Sequence, residues 1–442
     1  MIISARMLAV LDLLERTQKS PIPMDLTIGD YMRNRRYIGS KDRTDIVERI
    51  YDMVRHHARI HWALEQAGAA TPTARLKLLA YLIMVEGKED PTVYFDGTKY
   101  APSEVTQEEI DILHRLPENF DTAPEDIKVE CPPNYAASLH KYFGKDFAVE
   151  MEALCHGATL DLRINKVAGD REKMKESLEK DKVATEITPY SPWGLRAKGK
   201  AFLGETKAFR SGHIEIQDEG SQLIALACDV KPGMQVLDYC AGGGGKTLAL
   251  ASAMMVKGRI VAMDLEEARL AKAKTRFKRA KVSDIIETRP LSDEKSRKWL
   301  RRQKQSFDVA LVDVPCSGTG TWRRNPDTRW RNYGPSVDEI IPVQADILER
   351  VAGVVKPGGR LVYATCSILP EENEDQIEKF LANHPEYELV DLQDVWPEGC
   401  KAPCEGKYMR LTPKRHHTDG FFAAVLIRKD MEGDDEPEDA AA

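Results

Sequence analysis

The chain places two cysteines directly after two apolar runs that end in turn-forming residues. Phe307-Asp308-Val309-Ala310-Leu311-Val312 leads into Asp313-Val314-Pro315-Cys316-Ser317-Gly318-Thr319-Gly320. Gly359-Arg360-Leu361-Val362-Tyr363 leads into Ala364-Thr365-Cys366-Ser367. Runs of this length and composition predict β-strands. In a doubly wound α/β sheet, ligands collect at the strand ends. Two thiols and the Asp313 carboxylate gathered there suit covalent catalysis on an electrophilic ring, with a thiolate as nucleophile. The plainer alternative is a pair of buried structural cysteines. It is disfavoured because both follow strand ends.

A second chemical element lies upstream. Met234-Gln235-Val236-Leu237-Asp238 predicts a strand, and Tyr239-Cys240-Ala241-Gly242-Gly243-Gly244-Gly245-Lys246-Thr247 follows it. Glycines let a backbone turn sharply and approach a ligand. A helix from Lys246 to about Met255 would aim its first N–H groups at that ligand. A Walker loop would need glycine where Cys240 stands, and a dinucleotide fingerprint would need glycine where Thr247 stands, so both patterns fail. The next predicted strand, Gly258 to Met263, ends in Asp264, which could accept hydrogen bonds from ribose hydroxyls. Asp264 reads equally as a helix N-cap. Asp293 closes a plausible third strand and could meet an adenine. The candidate cofactor residues are therefore Cys240, Ala241, Gly242, Gly243, Gly244, Gly245, Lys246, Asp264, Asp293 and Asp313.

The elements that must position these groups divide the chain. Residues 1–88 read as all-helical, with one stripe of Ile46, Val47, Ile50, Tyr51 and Val54 and another of Leu76, Leu79, Ala80, Ile83 and Met84. Ahead of both, Tyr31-Met32-Arg33-Asn34-Arg35-Arg36-Tyr37 could contact phosphates and stack bases, or its tyrosines could cap the helical core. Residues 89–132 lack periodicity and read as a linker with a short helix near Gln107–Leu113. Residues 133–213 predict a small α+β module suited to RNA, with a helix capped at Asp170. From 214 to 429 strands alternate with helices, which argues for a parallel sheet covered on both faces. Residues 430–442 read as an acidic tail that is expected to be disordered.

The formal net charge of −7 over 442 residues does not suggest a nucleic-acid binder, but the charge is uneven. Residues 269–305 hold 14 Lys/Arg against 4 Asp/Glu. A basic face of this kind leaves room for a polyanion, although a solvated helix would look the same. No stretch is long and apolar enough for a membrane span, and the N-terminus reads as an amphipathic helix, so a cytoplasmic location is expected. The eight cysteines show no disulfide framework. Cys400 and Cys404 with His416-His417 have poor spacing for zinc, so no metal is expected.

Taken together, Asp238…Gly244-Gly245-Lys246-Thr247, Asp264, Asp293, Asp313-x-Pro315-Cys316-Ser317-Gly318-x-Gly320 and Tyr363-x-Thr365-Cys366-Ser367 resemble the RNA 5-methylcytosine methyltransferases of the RsmB/NSUN type. Gln217-Asp218-Glu219-Gly220-Ser221-Gln222, Glu371-Glu372-Asn373-Glu374 and Asp419-Gly420-Phe421-Phe422 are similar to that family as well. The likeness covers about residues 130–428, and the N-terminal helices are more weakly similar to a NusB-like domain. The resemblance implies a Rossmann-like class I methyltransferase domain, S-adenosyl-L-methionine as cofactor and an RNA substrate, ribosomal RNA above others. It implies that Cys366 attacks C6 of cytosine, that Cys316 assists release, that Asp313 meets the N3 edge, and that Lys246 belongs to the catalytic set. DNA cytosine methyltransferases attack from a Pro-Cys motif, so Cys316 is the alternative nucleophile. The family usually carries Ala-Pro where this chain has Gly242-Gly243, and losing proline raises the loop's conformational entropy.

Two rival functions stay open at this point. One is a non-catalytic RNA-binding or ribosome-assembly protein, against which the presence of both cysteines, Asp313 and Lys246 argues. The other is a cytosine methyltransferase acting on tRNA or DNA. The segment Trp322-Arg323-Arg324-Asn325-Pro326-Asp327-Thr328-Arg329-Trp330-Arg331 is expected to grip backbone phosphates near a flipped base.

Overall fold

The predicted apolar stripes become helices Ile3–Lys19, Met24–Arg33, Ser40–Arg55, His57–Gln66 and Ala74–Met84 in the computed structural model, which describes residues 1–199 and 201–430. Val10, Leu13, Ile46, Ile50, Leu78 and Leu79 meet in one apolar core, with Val47, Tyr51 and Val54 at its margin. Tyr31 is buried, with the Arg35 guanidinium 3.7 Å from its ring centre, so this tyrosine packs on the core. Tyr37 is exposed.

Residues 89–132 are not the expected linker. Helix Gln107–Leu113 opens with a Thr106–Glu109 capping box, and Phe95 and Leu113 join the same apolar core. Arg75 fastens the segment through Glu109 Oε1 at 2.7 Å and the carbonyls of Ser103 and Glu104 at 2.8 Å. Polar ties of this kind between distant residues leave no periodic signal. The first compact unit comprises residues 1–157 and 321–335, so it runs past the expected boundary at 132.

The inserted stretch 321–335 is also not the expected phosphate grip. Trp322, Arg323 and Arg329 are buried, and the Arg329 guanidinium sits 4.6 Å from the Trp322 ring centre. The Trp330 indole donates to Val54 O at 3.2 Å, Arg331 donates to Ser20 O at 2.8 Å, and Asp327 accepts from Met24 N–H at 2.9 Å. Arginines that supply carbonyls and cover aromatic rings pack as structure does.

The second unit, residues 158–320 and 336 onward, holds two sheets. Strands β1 (Asp161–Ile164), β2 (Thr185–Ile187), β3 (Gly194–Ala197) and β4 (Ile214–Ile216) form an antiparallel sheet in the order β2-β3-β1-β4. Asp170 caps the helix Arg171–Lys180 as expected, accepting from Lys173 N–H at 2.8 Å. Leu162, Ile164 and Leu195 share one core with Leu223, Ile224 and Leu248. The α+β module is thus packed into the larger fold and has no core of its own.

The second sheet contains β5 (Gln235–Asp238), β6 (Arg259–Asp264), β7 (Ile286–Pro290), β8 (Phe307–Asp313), β9 (Val355–Thr365), β10 (Tyr387–Leu389), β11 (Tyr408–Leu411) and β12 (Phe421–Arg428). Its order is β10-β12-β9-β8-β5-β6-β7, with β11 paired to β12. The pairs joining β5 through β9 are parallel, whereas β12 runs antiparallel to β9, β10 and β11. From β5 the chain builds outward through β6 and β7, then returns to place β8 on the other side of β5. That reversal is a topological switch point, where a doubly wound sheet opens a crevice beyond its strand ends. Asp238 and Asp313 end the two strands that flank it. No described helix is long and apolar enough to cross a membrane, and the acidic tail from residue 431 lies outside the described residues.

Candidate active site

A cavity of ≈ 770 Å³ lies beyond these strand ends, and Asp238, Asp264, Asp313, Lys246, Cys316 and Cys366 all reach it. Backbone from Tyr239 to Gly243 and Gly245 completes one wall. The wall is held from several directions. Gly242 N–H donates to Asp264 Oδ2 at 2.7 Å, and Ala241 N–H donates to Met263 O at 2.8 Å. Arg163, buried on β1, donates to Gly245 O at 2.7 Å.

Gly244 is the left-handed residue that precedes helix Gly245–Ala253, with φ +76°. A Cβ there would meet the Phe277 ring at 2.5 Å, so Gly244 serves the approach of helix Glu267–Arg279 and does not face the cavity. Asp264 binds Gly242 and also accepts from Glu266 N–H at 2.9 Å, in an Asx turn before that helix. Asp238 is fully buried and accepts from Thr247 Oγ1 at 2.7 Å, while its Oδ1 meets no donor. Burial pushes its carboxyl up to about 7.

The two cysteine loops close on each other. Cys316 Sγ lies 3.3 Å from Cys366 Sγ, and Gly320 N–H donates to Cys366 O at 2.9 Å. Lys246 Nζ donates to Asp313 Oδ2 at 2.6 Å. Burial works against the Lys246 ammonium, but Asp313, and after it Cys366, hold its pKa above the ordinary lysine value. The Cys316 thiol is pushed far up by its contact with Cys366, by burial and by the Glu372 charge. Two thiolates in van der Waals contact would repel, so one sulfur keeps its proton. The Glu372 charge beside Cys316 favours that proton on Cys316. The pair can therefore provide a nucleophile and a proton carrier side by side.

Two residues quoted in the sequence without a role now have one. Glu372 is fully buried and accepts from Ser317 N–H at 2.8 Å, Ser317 Oγ at 2.5 Å, Gln344 Nε2 at 3.1 Å and the Ser367 hydroxyl. Asn373 accepts from Thr365 Oγ1 at 2.6 Å and donates to Ser367 O at 3.0 Å. Arg163 had no signal at all, because an arginine inside an apolar strand run suggests an exposed position.

Asp293 stands apart from the other candidates. β7 ends at Pro290, and Asp293 caps helix Glu294–Arg301, accepting from Lys295 N–H at 3.1 Å and Ser296 Oγ at 3.3 Å. It does not line the cavity, where Leu291 and Arg297 are the nearest contributors in sequence. Cys240 does line it, with a thiol that burial and the surrounding aspartates push well up. Among the described residues no His, Cys, Asp and Glu group could hold a metal. Cys404 Sγ and His416 Nε2 make only a 3.7 Å contact.

A sequence profile described as the 16S rRNA methyltransferase RsmB/F family matches residues 225–427. A probable ribosomal RNA small subunit methyltransferase B of Synechocystis sp. is 34% identical over 282 residues, spanning 63% of this chain and 63% of that protein. The ribosomal RNA small subunit methyltransferase B of Yersinia pestis is 28% identical over 410 residues, 89% of this chain and 92% of that protein. The crystal structure of PH0851 superposes with a TM-score of 0.75 at 25% identity, covering 96% of this chain and 99% of that one.

Proposed function

Because the chain belongs to the RsmB/F family of S-adenosylmethionine-dependent methyltransferases, we propose that it methylates C5 of a cytosine in RNA, with ribosomal RNA as the substrate and Cys366 as the nucleophile. What supports this chemistry is the pair of thiols 3.3 Å apart beside the Asp313–Lys246 ion pair. S-adenosylmethionine supplies, when bound, a methyl group on a positively charged sulfur. The residues present fit it. Asp238 Oδ1, buried without a donor, suits an ammonium group, and Gly242, Gly243 and Gly245 line the cavity beside it. Asp264, already anchored to Gly242, would accept from the ribose.

C5 of cytosine is a poor nucleophile on its own. Addition of the Cys366 thiolate to C6 forms an S–C6 bond and pushes the C5=C6 pair onto C5, shared through C4 with N3, which makes C5 electron-rich. Asp313 would meet the N3 edge by accepting from the adjoining 4-amino group, and Lys246 fixes its carboxylate in place. Once C5 carries the methyl group, its remaining proton passes to a base, the C5–H electron pair re-forms the C5=C6 bond, and the C6–S pair returns to Cys366 as the thiolate. Cys316, 3.3 Å from Cys366, would assist that release.

The test is bisulfite sequencing of ribosomal RNA from cells lacking this protein, complemented with wild type or Cys366→Ala. One cytosine should regain methylation with wild type alone. Unchanged methylation at every rRNA cytosine would remove ribosomal RNA as the substrate, and the same maps of tRNA would then show whether the reaction lies there.

A further inference from the structure

Both cysteine loops hang on one buried carboxylate. Glu372 takes the backbone N–H and the hydroxyl of Ser317, next to Cys316, and the hydroxyl of Ser367, next to Cys366. Gln344 Nε2 joins Glu372 Oε1 at 3.1 Å and Pro315 O at 3.0 Å, so it clamps the first loop from its other end. Tyr363 donates to Glu372 O at 2.6 Å and fixes the residue's own backbone to β9. Ser367 Oγ accepts from Leu369 N–H at 3.0 Å and Thr319 Oγ1 accepts from Ile368 N–H at 3.0 Å, which ties the loops together around the carboxylate. Donors arriving at both oxygens are what an ionised carboxylate requires, and a carboxylate this deeply buried costs stability unless it is so met.

We propose that Glu372 is a positioning residue that aligns the two thiols and makes them unequal, with Cys316 as the proton-bearing partner and Cys366 as the nucleophile. The inequality arises from placement. Glu372 puts its charge beside the Cys316 loop, while the Lys246 ammonium lies on the Cys366 side, and Cys316 responds to Glu372 as to a nearby negative charge. Without that charge Cys316 would give up its proton more readily, and the two sulfurs would become more alike. The proposal rests on the covalent reading above, but its readout needs no RNA.

The experiment compares iodoacetamide alkylation of Cys316 and Cys366 in the full-length protein, each followed by peptide mass spectrometry across pH. In wild type Cys366 should react first. Glu372→Gln keeps the size and removes the charge, so Cys316 alkylation at a fixed pH should rise by about tenfold, as for a shift of one pKa unit. Glu372→Asp keeps the charge and should restore the wild-type order. In methylation assays Glu372→Gln should lower kcat with little change in KM for RNA, because Glu372 touches no substrate. An unchanged Cys316-to-Cys366 ratio in folded Glu372→Gln overturns the proposal. If that variant does not fold, Ser317→Ala carries the test, and a ratio that moves less than about threefold overturns it. Failure of wild-type protein to methylate RNA would instead overturn the function while leaving the thiol measurement intact.

Discussion

The sulfurs of Cys316 and Cys366 are 3.3 Å apart although 50 residues separate them in the chain. The contact follows from adjacent parallel strands, since β8 and β9 pair with Asp313 opposite Ala364 and each loop leaves the sheet at the same level. Neighbouring thiols with different surroundings should fail differently. Cys366→Ala should abolish methylation, by about 10³-fold or more, because it removes the sulfur that adds to C6. Cys316→Ala should leave addition intact and slow release, so a covalent RNA adduct through Cys366 should persist on a denaturing gel. An adduct formed by Cys366→Ala and absent from Cys316→Ala would move the nucleophile to Cys316.

Lys246 and Asp313 are joined at 2.6 Å inside the cavity. Lys246→Met keeps the length of the side chain and removes the charge. Asp313 then loses the partner that fixes its rotamer, and the developing charge on the ring loses a nearby cation. We expect kcat to fall by roughly 10²-fold, in the range of losing one preorganised electrostatic partner. Steady-state kinetics check this, and a kcat within twofold of wild type would exclude Lys246 from the catalytic set.

Much of this site was legible because its parts are local. Strands ending in Asp238, Asp264 and Asp313, the glycine loop, and both cysteines after strand ends each lie within a few residues of their own signal. What escaped depends on contacts across the chain. Asp293 sits beyond β7 because the strand stops at Pro290, and a helix cap then claims its carboxylate. Arg329 and Trp330 belong to an apparently exposed basic loop, yet the helical unit buries the first and hydrogen-bonds the second. Glu372 looks like one acid in an acidic turn, and only the fold brings Ser317 and Gln344 to it.

The packing of Trp330 within the first unit makes a prediction about stability. Trp330→Ala removes the indole N–H bond to Val54 O and the His57 ring contact at 4.7 Å. It should destabilise the protein by about 3 kcal/mol, as for truncating a packed aromatic. Denaturant unfolding measures this. A grip on RNA phosphates would instead leave stability unchanged and weaken RNA binding with a reduced salt slope.

Gly244 separates two costs of adding a methyl group. At φ +76° with Phe277 at 2.5 Å, Gly244→Ala meets both backbone strain and a collision. Gly358 has φ +70° and nothing within 4 Å of a Cβ, so Gly358→Ala meets the strain alone. The first should cost about 3 kcal/mol and the second about 1 kcal/mol. Thermal unfolding of the two variants isolates the contact with helix Glu267–Arg279. Equal losses would mean that Phe277 moves aside freely.

Asp238 carries the clearest pH dependence. Burial raises its carboxyl from 3.8 to about 7 in the folded protein. Between those values the unfolded chain has released the proton and the folded chain retains it, so folding binds a proton there. Stability contributed by this group is therefore present below about pH 4 and declines as pH rises toward 7, above which the loss is complete. Asp238→Asn cannot ionise and should show a flatter melting temperature across that window, measured against wild type in the same buffers. A cation placed against Asp238 Oδ1 favours the ionised carboxylate, so S-adenosylmethionine binding near pH 6.5 should release a proton in wild type. Titration calorimetry in buffers of different ionisation enthalpy reads that proton directly. The same heat in every buffer would mean that the ammonium group binds elsewhere and that Asp238 serves only to hold Thr247.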